Sequence, residues 1–292
     1  MARCSAVRSP WICLALASCG HPDAIASVPA PAELARDAAP PPDPCPAEPR
    51  TLPAGITATR ATLGVTAATG GAACLDVVRV DLARYRVRVL SAARDGGAHP
   101  APAWRETFHL AAVINAGMFH DDGTPVGLVI EDGRALSSDN AKYPGILAFD
   151  PRSPADPPAL VTGRDCPGFD LKALEHRYRS LIQAPRLLGC DGTALHWADP
   201  KQYSAAAIGV AKDGALVLLH ARSAVTMSEL ATAVSRLDLA GALFLEGGPE
   251  ASLLVDGDPP LARVGSFETG FVENDGNQSF WWLPNVVGVA PR

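Results

Sequence analysis

The sequence predicts a strand-rich α+β (mixed α/β) single domain, with mixed sheets and a few packed helices, behind a disordered N-terminal tether. Three observations point there. From Thr57 onward, short apolar or alternating runs recur, each bounded by Gly, Pro, Asp or Asn, which is the period and punctuation of strands. Few segments place apolar residues at helical spacing. Hydrophobic residues make up 48% of the 292 and charged residues only 19%, so a sizeable core can form.

The first 19 residues differ in kind. Arg3 and Arg8 flank or precede an apolar stretch, PWICLALAS, that is too short to cross a bilayer as a helix. It ends in Leu16-Ala17-Ser18-Cys19, which resembles a bacterial lipobox whose cysteine becomes the lipidated N-terminus. An ordinary signal peptide that contains a cysteine is the other reading. Both export the chain to the periplasm or cell surface; the lipobox also attaches it to the membrane through Cys19. Residues 20–50 are mostly Pro, Ala and acidic residues, cannot bury apolar area, and read as a tether. The domain is expected over 51–292.

Within it, LDVVRVDLARYRVRVLSA alternates apolar and polar residues and predicts two strands of a hairpin turning at Leu82–Tyr85. AWRETFH is a short helix candidate, and LAAVIN a buried strand ending at Asn115. TPVGLVIEDGRAL predicts a hairpin turning on Asp132-Gly133, and GILAFD a strand stopped by a Pro-rich loop. A helix is expected from about Asp170, followed by a strand. AAAIGVAKDGALVLLHAR predicts a central hairpin across Asp213-Gly214, apolar on both arms. TMSELATAVSRL is the clearest helix: Thr226 or Ser228 can cap it, Glu229 suits its first turn, and Leu230, Val234 and Leu237 share a face. ALFLEGG closes the series as a buried strand.

Seven cysteines are present. Cys4 and Cys13 fall in the removed segment and Cys19 would carry lipid, which leaves Cys45, Cys74, Cys166 and Cys190 for an oxidising compartment. Three pairings are open. The sequence-local one, Cys45–Cys74 with Cys166–Cys190, closes loops of roughly 25 residues, each contributing roughly 3 kcal/mol in the chain-entropy picture. The absence of C-x-x-C argues against a zinc or thioredoxin-type site. A net charge of -6 without a basic stripe disfavours nucleic acid.

The chemistry gathers at strand ends. In LEGGPE an apolar run meets Glu246, Gly247-Gly248, Pro249 and Glu250. Free N–H groups at such a turn form an anion-binding concavity beside a carboxylate. INAGMF ends a strand at Asn115 and turns through Gly117 to Phe119; IQAPR sets Gln183 and Arg186 around a proline; Arg222 closes the strand LVLLHAR. Each alone is also what a turn requires.

Taken in order, Asn115-Ala116-Gly117-Met118-Phe119, Pro125-Val126-Gly127, Gln183-Ala184-Pro185, Ile208 to Gly214 and Glu246-Gly247-Gly248 resemble the phosphodiester glycosidase family. The resemblance spans about Val77 to Val289. It implies a hydrolase of a sugar phosphodiester or related glycoside that uses no cofactor. Glu246 would be carboxylate base or nucleophile, and Asn115 would position substrate or water. Gly117, Phe119, Gln183, Arg186, Arg222, Gly247, Gly248 and Glu250 would line the ligand. Two departures stand out: Ala205 occupies the place of a family arginine, and Glu246 that of an aspartate. They keep a second reading in view, a non-catalytic lipoprotein that binds envelope glycan or phosphate. A third, metal-assisted hydrolysis by Asp121, Asp122, Glu246 and Glu250, competes with a plain solvated loop at HDDG. A serine hydrolase fares worse, since no Gly-x-Ser-x-Gly occurs.

Overall fold

The computed structural model describes residues 43–67, 72–266 and 277–292. The signal segment, Cys19 and residues 20–42 of the tether lie outside the described residues. Strands run in chain order as β1 (Ile56–Thr66), β2 (Ala72–Val80), β3 (Tyr85–Ser91), β4 (Ala112–Asn115) and β5 (Val129–Glu131). They continue as β6 (Arg134–Ala135), β7 (Gly145–Pro151), β8 (Ala159–Gly163), β9 (Tyr178–Ala184) and β10 (Tyr203–Ala211). The last are β11 (Leu216–Val225), β12 (Leu239–Gly247), β13 (Ser252–Val255), β14 (Leu261–Val264) and β15 (Asn285–Pro291). Helices α1 (Ala92–Asp95), α2 (Ala101–Phe108), α3 (Leu171–Arg177) and α4 (Met227–Val234) are short.

Three five-stranded sheets result, ordered β1-β2-β11-β10-β12, β14-β13-β4-β15-β3 and β6-β5-β9-β7-β8. Their inner faces meet in one core, with Val78, Ile208 and Leu218 from the first, Ile114 and Leu253 from the second, and Leu147 and Ile182 from the third. The helices seal outer faces. Trp104 of α2, fully buried, packs on Leu90, Val113 and Val286, while Leu230 and Val234 of α4 pack on Leu75 and Leu219. Thr226 caps α4 in a full capping box with Glu229, and Asp170 caps α3 by accepting the N–H of Ala173.

Strand pairing departs from expectation in two ways. Every described ladder is antiparallel, where mixed sheets were expected. The crossover through α4 does join two strands of like direction, but β10 lies between β11 and β12 and is antiparallel to both. The expected β2–β3 hairpin also does not close. Both strands leave the Asp81–Arg84 turn for different sheets, β2 pairing with β1 and β11, and β3 with β15. Each is thereby placed in a different sheet, β2 between two partners and β3 at an edge. The other hairpins form as read; Asp132 (φ 48°) and Gly133 (φ 79°) make the left-handed turn between β5 and β6.

Both sequence-local disulfides are present, Cys45–Cys74 and Cys166–Cys190. The first changes the domain edge: 43–50, read as tether, is fastened to the sheets. Cys45 is buried, Glu48 pairs with Arg263 at 2.8 Å, and Thr51 bridges Asp258.

Candidate functional site

β12 is apolar as far as Leu245 and then delivers Glu246, half-buried, at its exit. A bulge in β12 itself, where Leu245 is the extra residue between Phe244 (opposite Ala207) and Glu246 (opposite Ala206), re-aims this end. The N–H of Gly247 donates to Glu246 Oε1 at 3.0 Å, fixing the carboxylate against its own turn. That bond also takes up a donor expected to hold a ligand anion. Gly247 is glycine for packing: a Cβ there would lie 3.1 Å from the Tyr203 side chain. The turn therefore does not offer its Cα side to a ligand. Gly248 has φ 67°, and a Cβ on it would lie 3.6 Å from Glu250 Oε2, so Glu250 folds back over the turn.

The end of β4 arrives beside this turn. Gly117, at φ 108°, sits where a Cβ would be 3.7 Å from the carbonyl oxygen of Leu245. Asn115 is 2% exposed, and its Oδ1 accepts the N–H of Ser252, just beyond the Gly-Gly turn, at 3.1 Å. Asn115 thus ties the two turns together, and its amide faces protein. Met118 follows and meets Tyr143, whose hydroxyl donates to Met118 Sδ at 3.4 Å. Burial first, and then the charge of Glu246, push the Tyr143 phenol above its usual range, so it is a neutral donor beside the carboxylate. Phe119 is half-buried and bridges Pro125 across the loop that carries Asp121 and Asp122.

Gln183 holds Tyr143 in place. Its Oε1 accepts from the N–H of Leu128 (2.9 Å) and Asn140 (2.8 Å). Its Nε2 lies 2.7 Å from Asp139 Oδ1, 3.0 Å from Asn140 O and 2.8 Å from Tyr143 O. With its polar atoms filled this way, Gln183 braces the loop 139–143 and has no capacity left for ligand.

Both arginines expected to hold an anion make contacts within the protein. Arg186 is 2% exposed; its Nη1 points at Cys166 Sγ (2.7 Å) and Cys190 Sγ (3.2 Å), and its Nη2 at Asp165 (2.7 Å). It braces the disulfide loop, and the chain makes room for it with Gly163, where a Cβ would sit 2.6 Å from Nη1. Arg222 donates to the carbonyls of Val264 (2.8 Å) and Asn277 (2.7 Å), joining two main-chain segments. Ala205, at the place of the family arginine, is buried opposite Gly247.

Behind Glu246 runs a row the sequence did not announce. Arg60, Asp76, His220, Ala206 and Glu246 are successive cross-strand partners, so their side chains share one face. Arg263 grips Asp76 with two hydrogen bonds of 2.8 and 3.0 Å. His220 is fully buried and donates from Nε2 to the Ala251 carbonyl at 3.0 Å, leaving Nδ1 without a partner. Burial pushes its pKa down to about 4, Arg263 and Arg222 adding to the effect while Asp76 and the carbonyl oppose it. Its neighbour Ser252 is 0% exposed, so this histidine and serine present no nucleophile to solvent. Asp121, Asp122, Glu246 and Glu250 do not converge as metal ligands. Among the described residues the one convergent group is Asp165, Cys166 and Cys190, and its two thiols are joined as a disulfide. Tyr143, Asp139 and His220 were missed in the sequence; a Tyr-Pro pair before a strand and a histidine inside an apolar run were the available signals.

The chain is built of three antiparallel sheets with glycine turns at the ends of β4 and β12. A family model described as phosphodiester glycosidase matches residues 108–290, and the chain belongs to that family. The catalytic domain of zebrafish N-acetylglucosamine-1-phosphodiester alpha-N-acetylglucosaminidase, auto-inhibited by its pro-peptide, superposes with a TM-score of 0.61 at 17% identity, over 82% of this chain and 84% of that one. A Synechocystis protein gives 0.60 at 16% identity, over 84% and 64%. A Burkholderia pseudomallei protein described only by an export assignment gives 0.50 at 14%, over 76% and 74%. At these identities the likeness concerns the fold. No curated protein matches the sequence.

Proposed function

We propose that the chain is an exported hydrolase of a sugar phosphodiester or a related glycoside, with Glu246 as its working carboxylate. The supporting observation is the convergence on Glu246: a rigid strand carries it, Gly247 N–H fixes it, and Tyr143 stands by it as a neutral donor on a loop braced by Gln183. Family membership supports the sugar-containing substrate. Glycoside hydrolysis ordinarily needs a second carboxyl group to protonate the leaving oxygen. A phosphate monoester leaves as an anion, so one carboxylate suffices. Glu246 takes a proton from water, the water oxygen bonds the anomeric carbon, and the bond from that carbon to the phosphate oxygen breaks. Asn115 acts by holding the turns in register. Two disulfides suit an oxidising compartment, and Cys19 would supply a lipid anchor.

Glu246→Gln keeps the shape and removes the charge. Sugar release from a UDP-sugar and from a sugar-1-phosphodiester should fall by about 10² to 10⁴-fold, the scale of a positioned acid–base group. Release at the parental rate ends the catalytic role. A second reading, a non-catalytic glycan- or phosphate-binding lipoprotein, draws on Ala205 and on the structural engagement of Arg186 and Arg222. Binding of a glycan phosphate by a parent that hydrolyses neither substrate would establish it.

A further inference from the structure

β3 is an edge strand, and most of its free edge is capped. Ala111 N–H donates to Val289 O at 2.7 Å, so Val289 faces β4, and Val87, opposite it, faces away from β15. Outward- and inward-facing residues alternate along a strand, so Tyr85 and Val89 face the same free edge. Tyr85 N–H donates to Asp81 O at 3.1 Å, and Tyr85 O accepts Arg292 Nε at 3.1 Å. Val89 N–H donates to Glu131 Oε2 at 3.0 Å, and Val89 O accepts Arg94 Nη2 at 2.6 Å. Capping of this kind keeps a sheet edge from pairing with another chain. Between the capped residues, the N–H and C=O of the buried Val87 make no hydrogen bond among the described residues. Buried main-chain groups are nearly always paired, so this pair is available to a ligand.

Val87 lines a cleft of about 560 Å³ bordered also by Arg86, Arg88, Arg94, Glu131 and Arg292. The order of groups along the strand gives this cleft a polarity. Val87 N–H follows Tyr85 O, which Arg292 occupies, so an open donor stands beside a guanidinium. Arg292 bonds through Nε alone, to Leu82 O and Tyr85 O, and its Nη groups make no hydrogen bond among the described residues. Val87 C=O precedes Val89 N–H, which Glu131 occupies, so an open acceptor stands beside a carboxylate. Glu131 is 8% exposed; its Oε2 also accepts the Ser180 hydroxyl at 3.1 Å, while its Oε1 has no hydrogen-bond partner among the described residues. Burial pushes its pKa up, against the bonds from Val89 and Ser180 and the charges of Arg94 and Arg88, so the nearby arginines do not offset its desolvation in full. Asp132 and Asp150, also at the cleft, lie 3.5 and 3.9 Å from Arg179.

We propose that this cleft binds a free α-amino acid, which lies along β3 as a one-residue antiparallel partner of Val87. In an antiparallel ladder a facing residue exchanges both of its main-chain hydrogen bonds with its opposite number. The ligand's α-carboxylate accepts from Val87 N–H and Arg292, and its α-ammonium donates to Val87 C=O and Glu131 Oε1, in charge-assisted bonds at both ends. The caps on Tyr85 and Val89 limit the ligand to one residue, because a longer peptide meets Arg292 at one end and Glu131 with Arg94 at the other. A simple anion leaves Glu131 and the Val87 carbonyl unanswered, and a simple cation leaves Arg292 and the Val87 N–H. The cleft stands apart from the Glu246 turn: Val87 is opposite Val289, whereas Asn115 is opposite Val286, toward the other end of β15. The inference therefore does not depend on hydrolysis of a glycoside.

The test titrates the full chain with alanine, lysine and glutamate by calorimetry. These probes share both α-groups and differ in side chain. N-acetylalanine lacks the ammonium, alaninamide lacks the carboxylate, and inorganic phosphate is a plain anion; the three serve as controls. Saturable binding of at least one amino acid is expected, with every control weaker by about tenfold or more. Glu131→Gln, which keeps an oxygen for the Val89 N–H, and Arg292→Gln should each weaken that binding about tenfold or more. Circular dichroism and the melting temperature check that the variants fold. In isotope-labelled parent protein the Val87 amide resonance should move during the titration, a readout that needs no variant. The proposal is overturned if all three amino acids fail to bind at millimolar concentration, if a control binds as tightly as the best of them, if both folded variants bind at parental strength, or if the Val87 resonance stays still at saturation.

Discussion

The ends of β4 and β12 look alike in sequence, apolar runs that close on a polar residue and a glycine turn, yet the fold uses them differently. β4 lies in the middle of its sheet, between β13 and β15, whereas β12 is the edge of its own. Central placement buries Asn115 and turns its amide to the Ser252 N–H. Edge placement leaves Glu246 half-buried. A central strand can hold a neutral amide at a modest cost: Asn115 Oδ1 is satisfied by a main-chain N–H, while its Nδ2 stays buried without a partner among the described residues. An isolated carboxylate in the same place would pay a desolvation cost of several kcal/mol. On the proposed function, chemistry would fall to the edge strand and positioning to the central one.

That contrast can be broken by exchanging effects. Glu246→Gln should leave the melting temperature nearly unchanged while removing turnover by the factor given above. Asn115→Ala should do the reverse in kind. It orphans the buried Ser252 N–H and should cost about 1–3 kcal/mol in a denaturation curve, with activity falling only as far as the two turns lose register. Equal destabilisation by both variants would erase the distinction.

His220 sharpens it from behind the site. An unfolded histidine takes up a proton near pH 6.5, but this one, buried, resists until about 4. Between those values the unfolded chain binds more protons, so stability is whole above pH 6.5 and drains away as pH falls toward 4. The loss attributable to this group is about 3 kcal/mol. His220→Gln can still donate to the Ala251 carbonyl and does not titrate, so its stability curve should be flatter by about that amount. An identical acid limb in parent and variant would place the sensitivity elsewhere.

The sequence reveals the strands well because period and turn chemistry are local. Asp132-Gly133 and Asp213-Gly214 announce their hairpins, and Thr226 with Glu229 announces α4. It does not reveal partners. β2 and β3 look like a hairpin and are not, since each finds its partners, distant in the chain, in a different sheet. The site shows the same division. Glu246, Gly117 and Gly248 are visible because acids and left-handed glycines stand out at strand ends. Gln183, Arg186 and Arg222 also look like ligand groups, but long side chains reach whatever lies near, here a loop, a disulfide and two carbonyls. Tyr143 and His220 gain meaning only from neighbours far away in the chain.

The smallest effect expected concerns the second acid. Glu250 follows Pro249 in a short 3-10 turn and leans over Gly248, where a Cβ would lie 3.6 Å from its Oε2. It is therefore carried by a turn, while Glu246 is carried by the strand. A group that leans on the turn can shape it or tune the charge near the reacting atoms, and Gln retains its size and its hydrogen-bonding capacity. Glu250→Gln should reduce turnover by less than about tenfold, below the range of a proton-transferring group, and shift stability by about 0.5 kcal/mol or less. The measurement is turnover against pH in the parent and both Gln variants. If Glu250→Gln abolishes the acid limb of the rate profile while Glu246→Gln preserves it, the roles of the two acids are reversed, and the edge strand serves as scaffold for a turn-borne carboxylate.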